Sequence, residues 1–146
     1  MKRGYVVTVD YGYPARELYS PARRQGTLLC YYRHTVQEDP YDRIGRQDMT
    51  SHVDFTSLVW AGRSVGLELL GFTDQLSFLM GLGVAQEIDG IVAEKGPDDP
   101  AVLRAKALLM PQRMGRVFKV LLQGKKVPKI PMDGFAFRPF FSGVLE

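Results

Sequence analysis

The feature that most constrains this 146-residue chain lies at its start, where Tyr5-Val6-Val7-Thr8-Val9 runs β-branched and aromatic with almost no polar alternation. A strand exposed on one face alternates apolar with polar; a continuous run of this kind suits a strand buried on both faces of a mostly parallel sheet. The run is predicted to end at Asp10-Tyr11-Gly12, followed by a loop bearing Pro14 and Pro21. Loops at the carboxyl ends of such strands are where open α/β sheets place their sites.

Later segments alternate in type. Residues 27–33 read as a second strand or extended segment, and 37–47, with Pro40 and Gly45, as a polar loop. Asp54 is suited to be an N-cap, because Phe55, Leu58, Val59, Gly62 and Val65 fall on one helical face before a stop at Gly66. Residues 67–71 suggest a short strand. Thr73 or Asp74 then caps a helix over 75–80, which Gly81-Leu82-Gly83 ends or interrupts. Asp99-Pro100 is a strong helix start, with proline at the first helical position, and predicts a helix to about Met110. Residues 116–122 read as a strand closed by Gly124 and Pro128, and the Pro/Phe-rich tail 124–146 is expected to lie against the domain. Strands alternating with helices favour an α/β fold in a single domain.

Composition narrows the function. Apolar residues make up 45% and charged residues 24%, so a packed core is expected rather than disorder. The formal charge of +3 is spread along the chain without the dense basic stripe of a nucleic-acid binder, so no nucleic-acid partner is expected. No apolar run is long enough to span a bilayer and no secretory signal is visible, so no membrane partner is expected either. The lone Cys30, inside Leu28-Leu29-Cys30-Tyr31-Tyr32, is read as a buried structural thiol. A cytoplasmic location is expected, with a mitochondrial one left open.

Specificity enters through five blocks in order. They are Asp10-Tyr11-Gly12; Gly26-Thr27-Leu28 with Tyr31-Tyr32-Arg33-His34; Asp48-Met-Thr-Ser-His-Val-Asp-Phe55; Gln75-Leu-Ser-Phe-Leu79; and Met114-Gly-Arg-Val-Phe-Lys119. Together, over about residues 4–122, they resemble the C-terminal region of the MidA-like family of S-adenosyl-L-methionine (SAM)-dependent methyltransferases. That family includes the mitochondrial complex I assembly factor that methylates a protein arginine. The resemblance implies a class I, Rossmann-like α/β fold: a mixed, mostly parallel sheet with flanking helices, SAM as cofactor, and a protein substrate. It matches residues 5–9 to the fifth strand of the sheet. Since only three residues precede that strand, the first four strands and the glycine-rich SAM loop are expected to be missing. The chain then reads as a partial methyltransferase domain over 1–146, inactive alone. Its unpaired strand edge would associate with the missing N-terminal half or with itself.

Within this frame Asp10, Tyr11 and Gly12 are the candidate cofactor-side residues, although Asp10 could equally fix a turn and Gly12 supply backbone freedom. Asp48, His52 and Asp54 are the candidate catalytic residues, and His34, Thr50 and Gln75 the candidate substrate-binding ones. Carboxylates suit a guanidinium, and an imidazole can take a proton near neutral pH. A metal site on His34, Asp48, His52 and Asp54 is not expected, because their spacing matches no defined ligand set. Two rival functions remain: a non-catalytic binding or assembly module that keeps half the fold, and a small metal-dependent hydrolase.

Overall fold

The computed structural model describes residues 1–137 and 145. Its main sheet has four strands in the order β5-β1-β7-β6: β1 (Gly4–Tyr13), β5 (Val53–Asp54), β6 (Glu68–Asp74) and β7 (Phe118–Lys125). β7 runs antiparallel to both β1 and β6, so those two share a direction, and β5 lies parallel to β1. The result is the expected mixed sheet with flanking helices.

After β1 comes the single-turn helix α1 (Ala15–Leu18), and helix α2 (Phe55–Ser64) covers one face. The Asp54 side chain accepts from Ser57 N–H, the apolar stripe buries Phe55 and Val59, and Gly66 terminates the helix at φ +82°, a conformation L side chains rarely adopt. Phe55, Val59, Phe72, Leu121 and Leu145 form the core beneath it. Each fully buried side chain of this size contributes roughly 1.5–3 kcal/mol. Val65, assigned to the same face, is exposed because the helix has already ended.

Asp74 caps α3 (Gln75–Gly81) through Ser77 N–H at 2.7 Å, and α4 (Val84–Lys95) follows directly. Asp99 caps α5 (Pro100–Leu109) by accepting from Ala101 N–H. In the tail, a turn at Asp133–Phe135 packs Phe135 against Phe78 of α3, with ring centroids 5.3 Å apart. The rest of the tail assignment, at 138–144 and 146, lies outside the described residues.

Three features differ from expectation. First, β1 runs through the predicted stop at Asp10-Tyr11-Gly12 to Tyr13: β7 keeps pairing as far as Tyr11 opposite Phe118, and Gly12 and Tyr13 pair with β5. Gly12 is therefore a strand residue with no positive φ. Its lack of a side chain serves close approach, since a Cβ there would lie 2.2 Å from the Val53 carbonyl oxygen. Second, β1 is not buried on both faces: Val7 and Val9 are 58% and 51% exposed, because nothing among the described residues covers them. Third, residues 27–50 form a separate small sheet, β3-β2-β4: β2 (Leu29–Tyr32), β3 (Thr35–Gln37) and β4 (Asp48–Thr50). A two-residue turn joins β2 to β3, with Arg33 and His34 both at positive φ (47° and 65°), the left-handed geometry that matches strand twist. Cys30, on β2, is fully buried.

Candidate functional site

The carboxyl end of β1, the start of β7 and the loop before β5 converge on His52. Pairing of Tyr11 with Phe118 across β1 and β7 sets their rings edge to face, with centroids 5.8 Å apart. His52 then stands edge-on to Tyr11 at 5.5 Å and to Tyr13 at 5.1 Å. Its backbone N–H donates to Thr27 Oγ1 at 3.1 Å, tying the loop to the segment before β2. Its Nδ1 is buried and makes no hydrogen bond among the described residues.

Two hollows meet at His52 and Thr27. One, of about 600 Å³, also touches Tyr19, Arg23, Arg24 and Ser51; the other, of about 310 Å³, touches Tyr11, Tyr31, Thr50 and Val117. Between them the walls offer aromatic rings, hydroxyls and one imidazole.

Charge around the imidazole is positive. Burial holds the His52 pKa below its ordinary value, and the nearby cations Arg23 and Lys119 lower it further. Arg23 lies over the Tyr13 ring at 3.9 Å, its Nη1 donating to the Glu17 carbonyl at 2.8 Å and its Nη2 reaching Glu17 Oε1 at 3.3 Å. This guanidinium therefore rests on an aromatic face with a carboxylate at its edge. Lys119 stands in register with Asp10 on β1 and Asp74 on β6, is buried, and donates to the Arg116 carbonyl. Burial lowers its pKa and Arg116 adds to that, while Asp74 and Glu17 oppose it. Its ammonium also faces the Tyr13 ring at 5.6 Å.

The residues singled out from sequence divide into two groups. Tyr11, Thr50 and His52 come together at the hollows, with Thr50 Oγ1 3.5 Å from the Leu29 carbonyl. The other group sits elsewhere or is engaged. Asp54 accepts from Ser57 N–H at 3.2 Å through one oxygen, and from Ser57 Oγ at 2.7 Å and the Tyr19 hydroxyl at 3.3 Å through the other. Asp48 is exposed on β4 opposite Tyr31. His34 is exposed at the tip of the β2–β3 turn. Gln75 begins α3 and donates from Nε2 to the Leu108 carbonyl at 2.9 Å, linking α3 to α5. Asp10 Oδ1 accepts the N–H of its own neighbour Tyr11 at 2.8 Å.

Sequence reasoning missed Tyr13, Arg23, Thr27 and Lys119 as site residues. Lys119 carried a signal, as a charge inside an otherwise apolar strand, and Thr27 lay within a recognised block. Arg23 carried none, because its place depends on how the Pro14–Gly26 segment folds back.

The free side of Gly12 is filled by the Val53 backbone, Asp10 is turned onto its own chain, and Tyr11 packs between His52 and Phe118.

Comparison with known proteins bears on this site. The model of a family described as "Putative S-adenosyl-L-methionine-dependent methyltransferase" matches residues 1–73. Among solved structures, an uncharacterized protein of the COG1565 superfamily from Burkholderia thailandensis is similar to the chain at 36% identity and a TM-score of 0.84, over 92% of this chain and 36% of that one. A COG1565 superfamily member from the same organism, bound to S-adenosyl-homocysteine, is similar at 35% identity and a TM-score of 0.82, over 91% of this chain and 34% of that one. The chain thus spans about a third of the length of these relatives. No curated protein matches it.

Proposed function

The chain belongs to the SAM-dependent methyltransferase family whose model covers its first half, and on that premise we propose that it forms the acceptor side of a methyl-transfer site. The observation that carries this reading is the placing of His52: a half-buried imidazole edge-on to two tyrosines where both hollows meet, its pKa lowered by burial and then by Arg23 and Lys119, and its buried Nδ1 without a hydrogen bond among the described residues. A methyl acceptor must lose a proton in the course of reaction, and a neutral imidazole lone pair at the mouth of a cleft is suited to take it. Tyr11 and Tyr13 hold the ring in place; Thr27 fixes its backbone.

The acceptor we propose is a protein arginine. Arg23 supports this from within the chain, since its guanidinium already occupies a ring-and-carboxylate seat on Tyr13 and Glu17 beside His52. Exposed Asp48 is available to pair with such a substrate, whereas Asp54 acts through the helix it caps. Asp10, Tyr11 and Gly12 form the wall facing the cofactor side, and the chain alone is inactive. His34, Thr50 and Gln75 are the proposed substrate-side residues, of which Thr50 lies nearest the chemistry.

The test is methyl transfer to an arginine peptide by the assembled enzyme. His52→Gln should lower kcat by about 10²–10⁴-fold with KM little changed, the usual loss when a general base is removed. Full activity in that variant would remove His52 from the chemistry.

A further inference from the structure

The larger of the two hollows at His52 is basic. A turn at Pro21–Arg23 begins with Arg23 N–H donating to the Ser20 carbonyl at 2.9 Å, and Gly26 N–H then donates to the Arg23 carbonyl at 2.9 Å. This folding brings Arg23 and Arg24 onto the same 600 Å³ hollow as Ser20, Thr27, Ser51 and His52. No carboxylate is among the described residues that line it. Two carboxylates reach lining residues from outside, and both are engaged: Glu17 holds Arg23, while Asp54 accepts from the Tyr19 hydroxyl and caps α2. Donors remain free on the hollow's walls. Arg23 gives only two of its N–H groups to Glu17. Arg24 is exposed, and its side chain makes no hydrogen bond or ion pair among the described residues. Thr27 Oγ1 accepts from His52 N–H, which leaves its own hydrogen to donate.

We infer that this hollow binds a carboxylate of the protein substrate, carried by an acidic side chain close in sequence to the acceptor arginine. The inference rests on the acceptor-side reading and narrows the substrate class of that site. Electrostatics choose the occupant. An arginine brought to His52 adds a cation where Arg23 and Lys119 already make the surroundings positive, and like charges repel strongly in a half-buried site. A carboxylate in the adjoining hollow offsets that repulsion. It also takes the donors that Arg23 and Arg24 present, in the charge-assisted pairing that guanidinium and carboxylate geometry favours. A basic neighbour in the substrate would worsen the repulsion, and an apolar one would bury these donors without a partner.

The experiment titrates the purified, isotope-labelled chain by NMR with short peptides built around a central arginine. One peptide carries glutamate on both sides of the arginine, and its control carries glutamine there. The glutamate peptide should bind about ten-fold more tightly, the usual worth of a hydrogen bond to a charged group. It should also raise the pH at which the His52 ring titrates, because a bound anion beside the ring favours the imidazolium. In Arg24→Ala the preference should fall to about two-fold or less with circular dichroism unchanged, since Arg24 is exposed, and Arg24→Lys should keep part of it. The inference is overturned if both peptides bind alike or not at all, or if Arg24→Ala keeps the full preference. It is also overturned if inorganic phosphate alone binds as tightly as the glutamate peptide, which would make the hollow a site for a free anion. A third peptide, with citrulline replacing arginine beside the glutamates, separates this inference from the reading beneath it. Equal binding of that peptide, still dependent on Arg24, would keep the carboxylate site and remove the arginine acceptor. Arginine preferred over citrulline with no preference for glutamate would do the reverse.

Discussion

Arg23 rests its guanidinium 3.9 Å from the centre of the Tyr13 ring, on the strand whose end also holds His52. One side chain thereby does two things: it fills a seat shaped for a guanidinium, and it adds positive charge next to the imidazole.

Removing Arg23 should vacate that seat. In Arg23→Ala, ethylguanidinium is expected to bind in the millimolar range and shift the Tyr13 ring resonances in an NMR titration. The parent chain should show no such shift, and neither should Arg23→Ala combined with Tyr13→Leu. Equal response in parent and variant would mean the seat recognises no guanidinium.

His52 should titrate below its ordinary value of 6.5. Burial is the larger cause, so Arg23→Met and Lys119→Met should each raise the pKa only part of the way. The sign for stability follows. Between the lowered folded pKa and the unfolded one, the unfolded chain binds more protons, so stability rises with pH through that window and is fully present above about 6.5. Urea melts at a series of pH values should show this rise in the parent and a flatter curve in His52→Asn.

Gly12→Ala should destabilise the chain by about 1–3 kcal/mol, the usual cost of forcing extra volume into a packed position. The new Cβ would meet the Val53 carbonyl oxygen at 2.2 Å and push β5 off the end of β1. A chemical denaturation midpoint unchanged from the parent would show that β5 shifts without cost.

Asp54 and Asp48 should separate by experiment. Asp54→Ala loses the α2 cap, a cost of about 0.5–2 kcal/mol, and Asp54→Asn should restore much of it. Asp48→Ala should leave stability nearly unchanged and instead raise KM for an arginine substrate in the assembled enzyme. A stability loss at Asp48 comparable to that at Asp54 would contradict this division.

Much of the fold was legible because local rules and tertiary packing agree here. Asp54 caps α2 before its apolar stripe and Asp99 caps α5 before Pro100 as predicted, Asp74 is the one of the two candidates, Thr73 and Asp74, that caps α3, and Gly66 stops α2 where expected. The exposed β1 face was not legible, since Val7 and Val9 have the composition of buried residues and sequence carries no record of what lies against them. The β2–β3 turn was missed because Arg33 and His34 lack the Asn-Gly signature that usually announces left-handed turn residues. At the site, Tyr11, Thr50 and His52 were within reach because they fall in recognised blocks. The Arg23–Tyr13–Glu17 contact was not, because it needs the chain to fold back across the end of β1.

The central claim, that this chain is the acceptor side of a methyltransferase and not its cofactor-holding part, is tested most directly by calorimetric titration of the purified chain with SAM. No heat of binding is expected at concentrations up to the millimolar range. Saturable micromolar binding would contradict the claim, and would place the cofactor at the Asp10–Gly12 end of β1.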